Sequence, residues 1–338
     1  MSHISVRLAR RIQVFAHWLT LRRPALGLRF AATLGRIAAQ RADSAHAPVA
    51  EDVEELFGPL ESSRIQRIRR EIASQEFRDE ALRHLLGCRG LDPIFMLVKT
   101  VRAESFRQLR SAGTPIVVVG WHQGPARAAS LALRKLGIPT LFAIRSANRE
   151  PDRDGDIVRY AHLNGTADDA RFLKRAHRAL LDGSVVGLHI DWLRDTGEEA
   201  HILGRSVRVG RGAVVLARKT GARLVPVTRR FLGWTGYVEV TLHAPIADAD
   251  LDPASGPAFE HALLERTVAW FEASIRSDPG SLRLEQMMWL LEAPPADGSA
   301  SETARRAAER RARRRQAHHS PMGEEWGCSR LFGIKDEG

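Results

Sequence analysis

Cysteine is almost missing from this chain: Cys88 and Cys328 are the only two in 338 residues. They are far apart, with no neighbouring cysteine and no zinc-type spacing, which excludes a disulfide framework and a structural metal site and makes a reducing cytoplasm the expected compartment. No apolar run reaches eighteen residues, so no transmembrane helix is expected. The amino end carries no compact apolar core followed by a small-residue cleavage site, which argues against a secretory signal. There is no GxSxG elbow and no phosphate loop ending in Gly-Lys-Ser or Gly-Lys-Thr. Gly210-Arg211-Gly212 begins like a dinucleotide fingerprint but lacks the third glycine and a strand immediately before it. The basic stretches are nearly free of interleaved aromatics, which leaves nucleic acid only unspecific charge.

Charge is present in excess of one sign. Lys and Arg total 51 against 40 Asp and Glu, a formal net charge of +11, which favours acidic partners: anionic lipid, phosphates, an acidic carrier protein. Residues 1–42 contain eight arginines and no acidic residue. Within them Leu8, Ile12, Phe15 and Leu19 repeat at helical spacing beside Trp18. Two readings stand: a helix lying on an anionic membrane surface, or a helix packed on the domain with a solvated basic face.

Residues 43–58 turn acidic and small and read as a linker. Ser62–Leu86 and a piece from Phe95 to about Ser111 read as amphipathic helices, completing a helical amino-terminal part over 1–112. From Pro115 strands alternate with helices. Ile116-Val117-Val118-Val119 is too short for a helix and rich in β-branched residues, as in a strand buried on both faces. Pro125 fits the first position of the helix that follows. Ile138–Ile144, Val185–Ile190 and Arg223–Thr228 read as further strands, and Tyr237–His243 as a half-exposed edge strand. Ala167–Asp182, Ala213–Thr220, Ala258–Ile275 and Leu282–Leu291 read as helices, with Leu203–Gly212 a basic, glycine-punctuated stretch before the second of them. The expected fold is α/β, a mainly parallel sheet flanked by helices over 113–294, followed by a basic tail over 295–338. Seven arginines and two glutamates in 301–320, with hardly a large apolar residue, make that tail an exposed helix or a disordered segment.

In such sheets ligands gather outside the carboxyl ends of strands. His122 lies just past the strand that Gly120 closes, where a helix dipole would favour a neutral imidazole able to act as a base. The alternative is a histidine hydrogen-bonded in a turn. Arg145 and Asp191 follow later strands, and Arg205, Arg208 and Arg211 surround Gly204, Gly210 and Gly212. Arginine forks suit the phosphate of a phosphopantetheine or phospholipid, although a solvated basic loop explains each one singly.

Taken in order, the strand and Gly120-Trp121-His122, Arg145, Asp191, Gly212 to Val227 (GAVVLARKTGARLVPV) and Pro279 to Trp289 (PGSLRLEQMMW) resemble the lipid A biosynthesis acyltransferases, a branch of the lysophospholipid acyltransferase superfamily. The similarity covers roughly 90–291. It implies that fold, and acyl transfer from an acyl carrier protein or coenzyme A thioester to a hydroxyl or amine on a lipid or carrier-bound acceptor, with no permanently bound cofactor and no metal. The family pairs a histidine with a carboxylate five residues later; the histidine maps onto His122 and the carboxylate onto Arg127. An arginine cannot accept the imidazole N–H. Asp191 is the preferred substitute, ahead of Glu150 and Asp195, which leaves Arg127, Arg145, Arg208 and Gly210 as anion and substrate contacts. The alternative is a non-catalytic or repurposed member that binds an acyl carrier or lipid. The family's amino-terminal membrane span is replaced here by the basic amphipathic stretch, so a cytoplasmic protein, peripheral on the inner face of the membrane at most, is expected.

Overall fold

The computed structural model describes residues 3–40, 47–90, 92–125, 127–144, 157–162, 166–191 and 197–294. Chain contacts divide it into two compact units, one of residues 1–93, 234–236 and 283–338, the other of 94–233 and 237–282.

The first unit is helical: α1 (His3–Arg22), α2 (Pro24–Ala38), α3 (Ala50–Phe57), α4 (Ser62–Arg89) and, late in the chain, α11 (Leu284–Glu292). Its core holds more polar groups than the sequence pattern suggests. Asp79, 1% exposed, pairs with Arg283 at 3.0 Å. Ser74 Oγ donates to the Ala32 carbonyl at 2.9 Å and Arg69 Nε to that of Pro48 at 2.7 Å. The rings of His17 and His84 stack 4.3 Å apart. Burial, with the neighbouring His84, pulls the His17 pKa down from 6.5 to about 4. The folded state therefore keeps His17 neutral while the unfolded chain takes up a proton below 6.5, so this contribution to stability is lost as pH falls from 6.5 towards 4. Urea midpoints measured across that interval should drop less in His17→Leu than in the wild type; parallel curves would remove His17 as a cause.

The second unit is built on a seven-stranded sheet in the order β1-β9-β8-β2-β5-β3-β4. Its elements are α5 (Asp92–Leu97), which overlaps the first unit's end, β1 (Val98–Arg102), α6 (Glu104–Ser111), β2 (Ile116–Gly120), α7 (Ala128–Lys135), β3 (Thr140–Ile144), β4 (Val158–His162), α8 (Thr166–Leu181), β5 (Val185–His189), β6 (Glu198–Ile202), β7 (Arg205–Val209), α9 (Gly212–Thr220), β8 (Arg223–Phe231), β9 (Val238–Leu242) and α10 (Pro257–Ser277). All neighbours run parallel except β8 and β9. β2 sits mid-sheet, and its Ile116, Val117, Val118 and Val119 are fully buried, each removing apolar surface worth roughly 1.5–3 kcal/mol.

The chain runs from β2 to β3 in one direction across the sheet and from β4 through β5 to β8 in the other. Because parallel crossovers are right-handed, this reversal puts α7 on one face and α8 and α9, which touch each other, on the opposite face. The connections leaving β2 and β5 diverge, the arrangement that in such sheets opens a crevice beyond the carboxyl ends of the strands.

Several local readings are corrected. The expected helix from Phe95 is interrupted by β1, so the sheet begins before residue 112. Residues read as a linker include α3, and the stretch Leu203–Gly212 contains β7, which pairs antiparallel with β6 in a separate hairpin. Tyr237–His243 is not an edge, since β9 lies between β8 and β1. β4, the true edge on that side of β3, went unread. The basic segment at 295–338 and the candidates Arg145, Glu150 and Asp195 lie outside the described residues.

Candidate active site

Beyond Gly120 the chain makes a turn before α7, and the helix begins at Ala128 rather than Pro125. The delay has a cause. Gln123 bridges Leu282 and the Gly124 N–H donates to the Ser281 carbonyl at 2.9 Å, which ties 123–124 to the chain after α10. Gly124 has φ of +64°, and a Cβ there would lie 1.8 Å from the Arg229 carbonyl oxygen; only glycine fits. With the helix displaced, its dipole is not what holds His122.

A carboxylate does. Asp191, completely buried, follows β5, whose His189 is in register with Gly120 of β2. One oxygen, Oδ2, accepts the His122 backbone N–H at 2.7 Å, and the other, Oδ1, meets His122 Nδ1 at 2.8 Å. Both contacts use the same short turn, so backbone and ring are fixed together. An ionised carboxylate only accepts, which puts the imidazole hydrogen on Nδ1 and the lone pair on Nε2. The side chain of His122 is 19% exposed while that of Asp191 is 0%, so the imidazole reaches solvent and its anchor does not.

A second histidine, missed in the sequence, completes the group. The His189 ring stacks on His122 with centroids 4.4 Å apart and planes inclined by 23°. It can lie there because Gly120 has no side chain: a Cβ would come within 2.9 Å of the ring. Arg229 NH1 contacts His189 Nε2 at 3.4 Å, and guanidinium has only hydrogens to give, so Nε2 accepts. The rest of that buried guanidinium holds the turn, Nε donating to the Gln123 carbonyl at 2.7 Å and NH2 to that of Trp121 at 3.0 Å. The only advance signal was the spacing of His189 from Asp191.

His122, His189 and Asp191 each offer a metal-ligating atom, all within 4.8 Å of one another. Their orientation opposes a shared ion. A metal lies in the plane of each imidazole that binds it, and two near-parallel stacked rings share no such point between them. Both Asp191 oxygens are already engaged by His122. The arrangement is suited to moving a proton rather than to holding an ion.

The remaining sequence candidates are placed differently. Arg127 adopts the left-handed conformation (φ 63°) immediately before α7, and its guanidinium lies over the Tyr160 ring at 4.8 Å. Its carbonyl accepts from Ser130 Oγ, which also meets Tyr160 Oη at 2.9 Å. The side chain is thus tied to β4 rather than to His122. Gly210 donates its N–H to the Ile190 carbonyl at 2.8 Å, pinning the backbone just before Asp191. Arg208 is exposed on β7, opposite Glu199. A cleft of about 430 Å³ starts at Gln123 and Arg229 and continues past Thr228, Trp270 and Glu239. Arg102 and Arg230 share the Glu239 carboxylate at 3.2 and 2.9 Å, with both guanidiniums more than half exposed along the cleft. The chain matches no family model and no curated protein sequence.

Proposed function

We propose that the protein is an acyltransferase of the lysophospholipid acyltransferase kind, moving an acyl group from a coenzyme A or acyl carrier protein thioester to a hydroxyl or amine of a lipid or carrier-bound acceptor. The observation that carries this reading is the paired contact of buried Asp191 with the backbone and Nδ1 of His122. It supplies, from another strand, the carboxylate that Arg127 does not. Asp191 orients the ring and offsets the imidazolium charge. His122 Nε2 removes the acceptor proton as the acceptor oxygen or nitrogen attacks the thioester carbonyl. The C–S bond then breaks, and the proton passes from Nε2 to the departing sulfur, giving acylated acceptor and free thiol. His189, whose Nε2 accepts from Arg229, packs on the ring. The cleft beyond Gln123 gives the acceptor room, and Arg145 and Arg208 are assigned to the anionic portion of the donor. The net charge of +11 suits an acidic carrier, and such donors place the reaction in the cytoplasm.

The test is thiol release and acyl transfer from both donors, comparing wild type with His122→Ala. Turnover unchanged in that variant would sink the assignment and favour a binding protein on the same frame. Arg127→Asp provides a separate expectation. Because Asp191 already occupies Nδ1, restoring the family's carboxylate should bring no gain in turnover. It removes the stacking on Tyr160, at a cost of about 0.5–1 kcal/mol in thermal stability. A clear rise in turnover would show that Asp191 does not fill the role.

A further inference from the structure

On α1 and α2 the large apolar side chains are not the ones that pack. The buried residues of α1 include Ala16, His17 and Thr20, and those of α2 are Gly27, Leu28, Ala31, Ala32 and Gly35. These mostly small groups bring backbones together: a Cβ on Gly27 would lie 2.4 Å from Thr20 Cα, and one on Gly35 2.7 Å from Ser74 Cα. The bulky residues are left outside. Phe15, Trp18 and Leu26 are 48, 51 and 46% exposed. Phe15 stacks on Trp18 at 5.9 Å and meets Phe30 edge-on at 5.5 Å, so one aromatic surface runs across both helices. A contiguous exposed patch of this kind on an otherwise well-packed unit marks an interaction face.

Charge selects its occupant. Arg22, Arg23 and Arg29 are exposed on the same helix pair, and residues 1–42 contain no carboxylate. A second copy would set these arginines against their own kind, and the chain's 301–320 segment, with seven arginines, carries the same sign. Aromatic side chains beside arginines, without acidic residues, match the boundary of an anionic bilayer, where rings enter the headgroup layer and guanidiniums meet phosphates. We propose that the α1–α2 pair is a peripheral docking face for an anionic lipid surface, inserting Phe15, Trp18, Leu26 and Phe30 and contacting lipid phosphates through Arg22, Arg23 and Arg29. No helix of the described residues is long and apolar enough to cross a membrane, so attachment is to one leaflet.

Binding is read independently of catalysis, by co-sedimentation of the full chain with phosphatidylcholine vesicles, alone or mixed with phosphatidylglycerol. The wild type should partition roughly tenfold or more in favour of the mixed vesicles and release as salt is raised. Phe15→Ser with Trp18→Ser should weaken that binding roughly tenfold or more, with the protein still folding cooperatively because both residues are about half exposed. Arg22→Glu with Arg29→Glu, which keeps the apolar surface, should abolish the preference for phosphatidylglycerol. Equal binding by the wild type and the aromatic variant would overturn the proposal, as would no preference for the anionic vesicles. Dimerisation that depends on Phe15 and Trp18 without vesicle binding would assign the face to a second copy instead.

Discussion

Asp191→Asn is expected to cut acyl transfer by about 10⁴ while leaving the fold and donor binding in place. The size of the effect follows from what an amide must do in this position. Asp191 accepts from two hydrogens of the same residue, the His122 backbone N–H and Nδ1–H. Asparagine has one oxygen and one NH2. If the oxygen keeps the backbone N–H, the NH2 faces Nδ1 and drives the imidazole hydrogen to Nε2, the nitrogen proposed to receive the acceptor proton. If the oxygen keeps Nδ1–H, the NH2 confronts a buried N–H and the turn has to move. The first outcome removes the lone pair at Nε2 without removing the ring, and the second displaces the ring. His122→Ala should fall to a similar residual rate, and the double variant should be no worse than either single one, because the two residues act as a unit. The measurement is single-turnover transfer together with acyl-donor affinity. A loss confined to affinity would make Asp191 part of the binding surface rather than the partner of the base.

The central strand and the histidine beyond it were legible because β2 is a pure core strand: four β-branched residues buried on both faces have no other use, and the glycine that ends them leads straight into the turn before α7. Asp191 was reachable by the same logic as the residue that closes a neighbouring strand. His189 was not, because a histidine inside a strand is judged by its own segment, whereas its role depends on the missing side chain of Gly120 on the adjacent strand. The late start of α7 was hidden for a similar reason. Pro125 satisfies the local rule for a helix start, but Gln123 and Gly124 are claimed by Ser281 and Leu282, far along the chain. β9 and β1 show a further limit: that one short strand of mixed polarity lies inside the sheet and the other at its edge is decided by pairing that their own sequences do not announce. On α1 the apolar periodicity gave the helix but left open which face packs, since close approach is set by Thr20, Gly27 and Gly35 rather than by the largest apolar groups.

Glu260→Ala should be the most costly substitution away from the base, lowering stability by about 3 kcal/mol and, through the turn that carries Asp191, lowering turnover as well. Glu260 is 3% exposed on α10, and its two oxygens accept from Arg211 NH2 and Arg218 Nε, both at 2.6 Å. Arg211 also reaches Glu198 on β6 at 3.1 Å. One carboxylate therefore ties both ends of α9 to α10 and, through Arg211, to the small hairpin. Removing it leaves two guanidiniums beside a cavity, and the partial exposure of both, 45 and 30%, keeps the cost at the lower end for a broken ion pair. Burial pushes the Glu260 carboxyl up, but the hydrogen bonds from Arg218 and Arg211 overcome it and hold its pKa below 4.5. The folded value thus lies under the unfolded one, so the stabilisation is full at neutral pH and is lost as pH falls through the folded value. Glu260→Gln, which keeps the shape but cannot ionise, should narrow the gap to wild type as acid removes the wild type's advantage. Urea midpoints at neutral pH and below 4.5 give both numbers. The catalytic effect travels one residue: Arg211 follows Gly210, whose N–H holds the Ile190 carbonyl next to Asp191. A Glu260→Ala protein as active per folded molecule as wild type would confine the clamp to stability and leave Asp191 held by β5 and His122 alone.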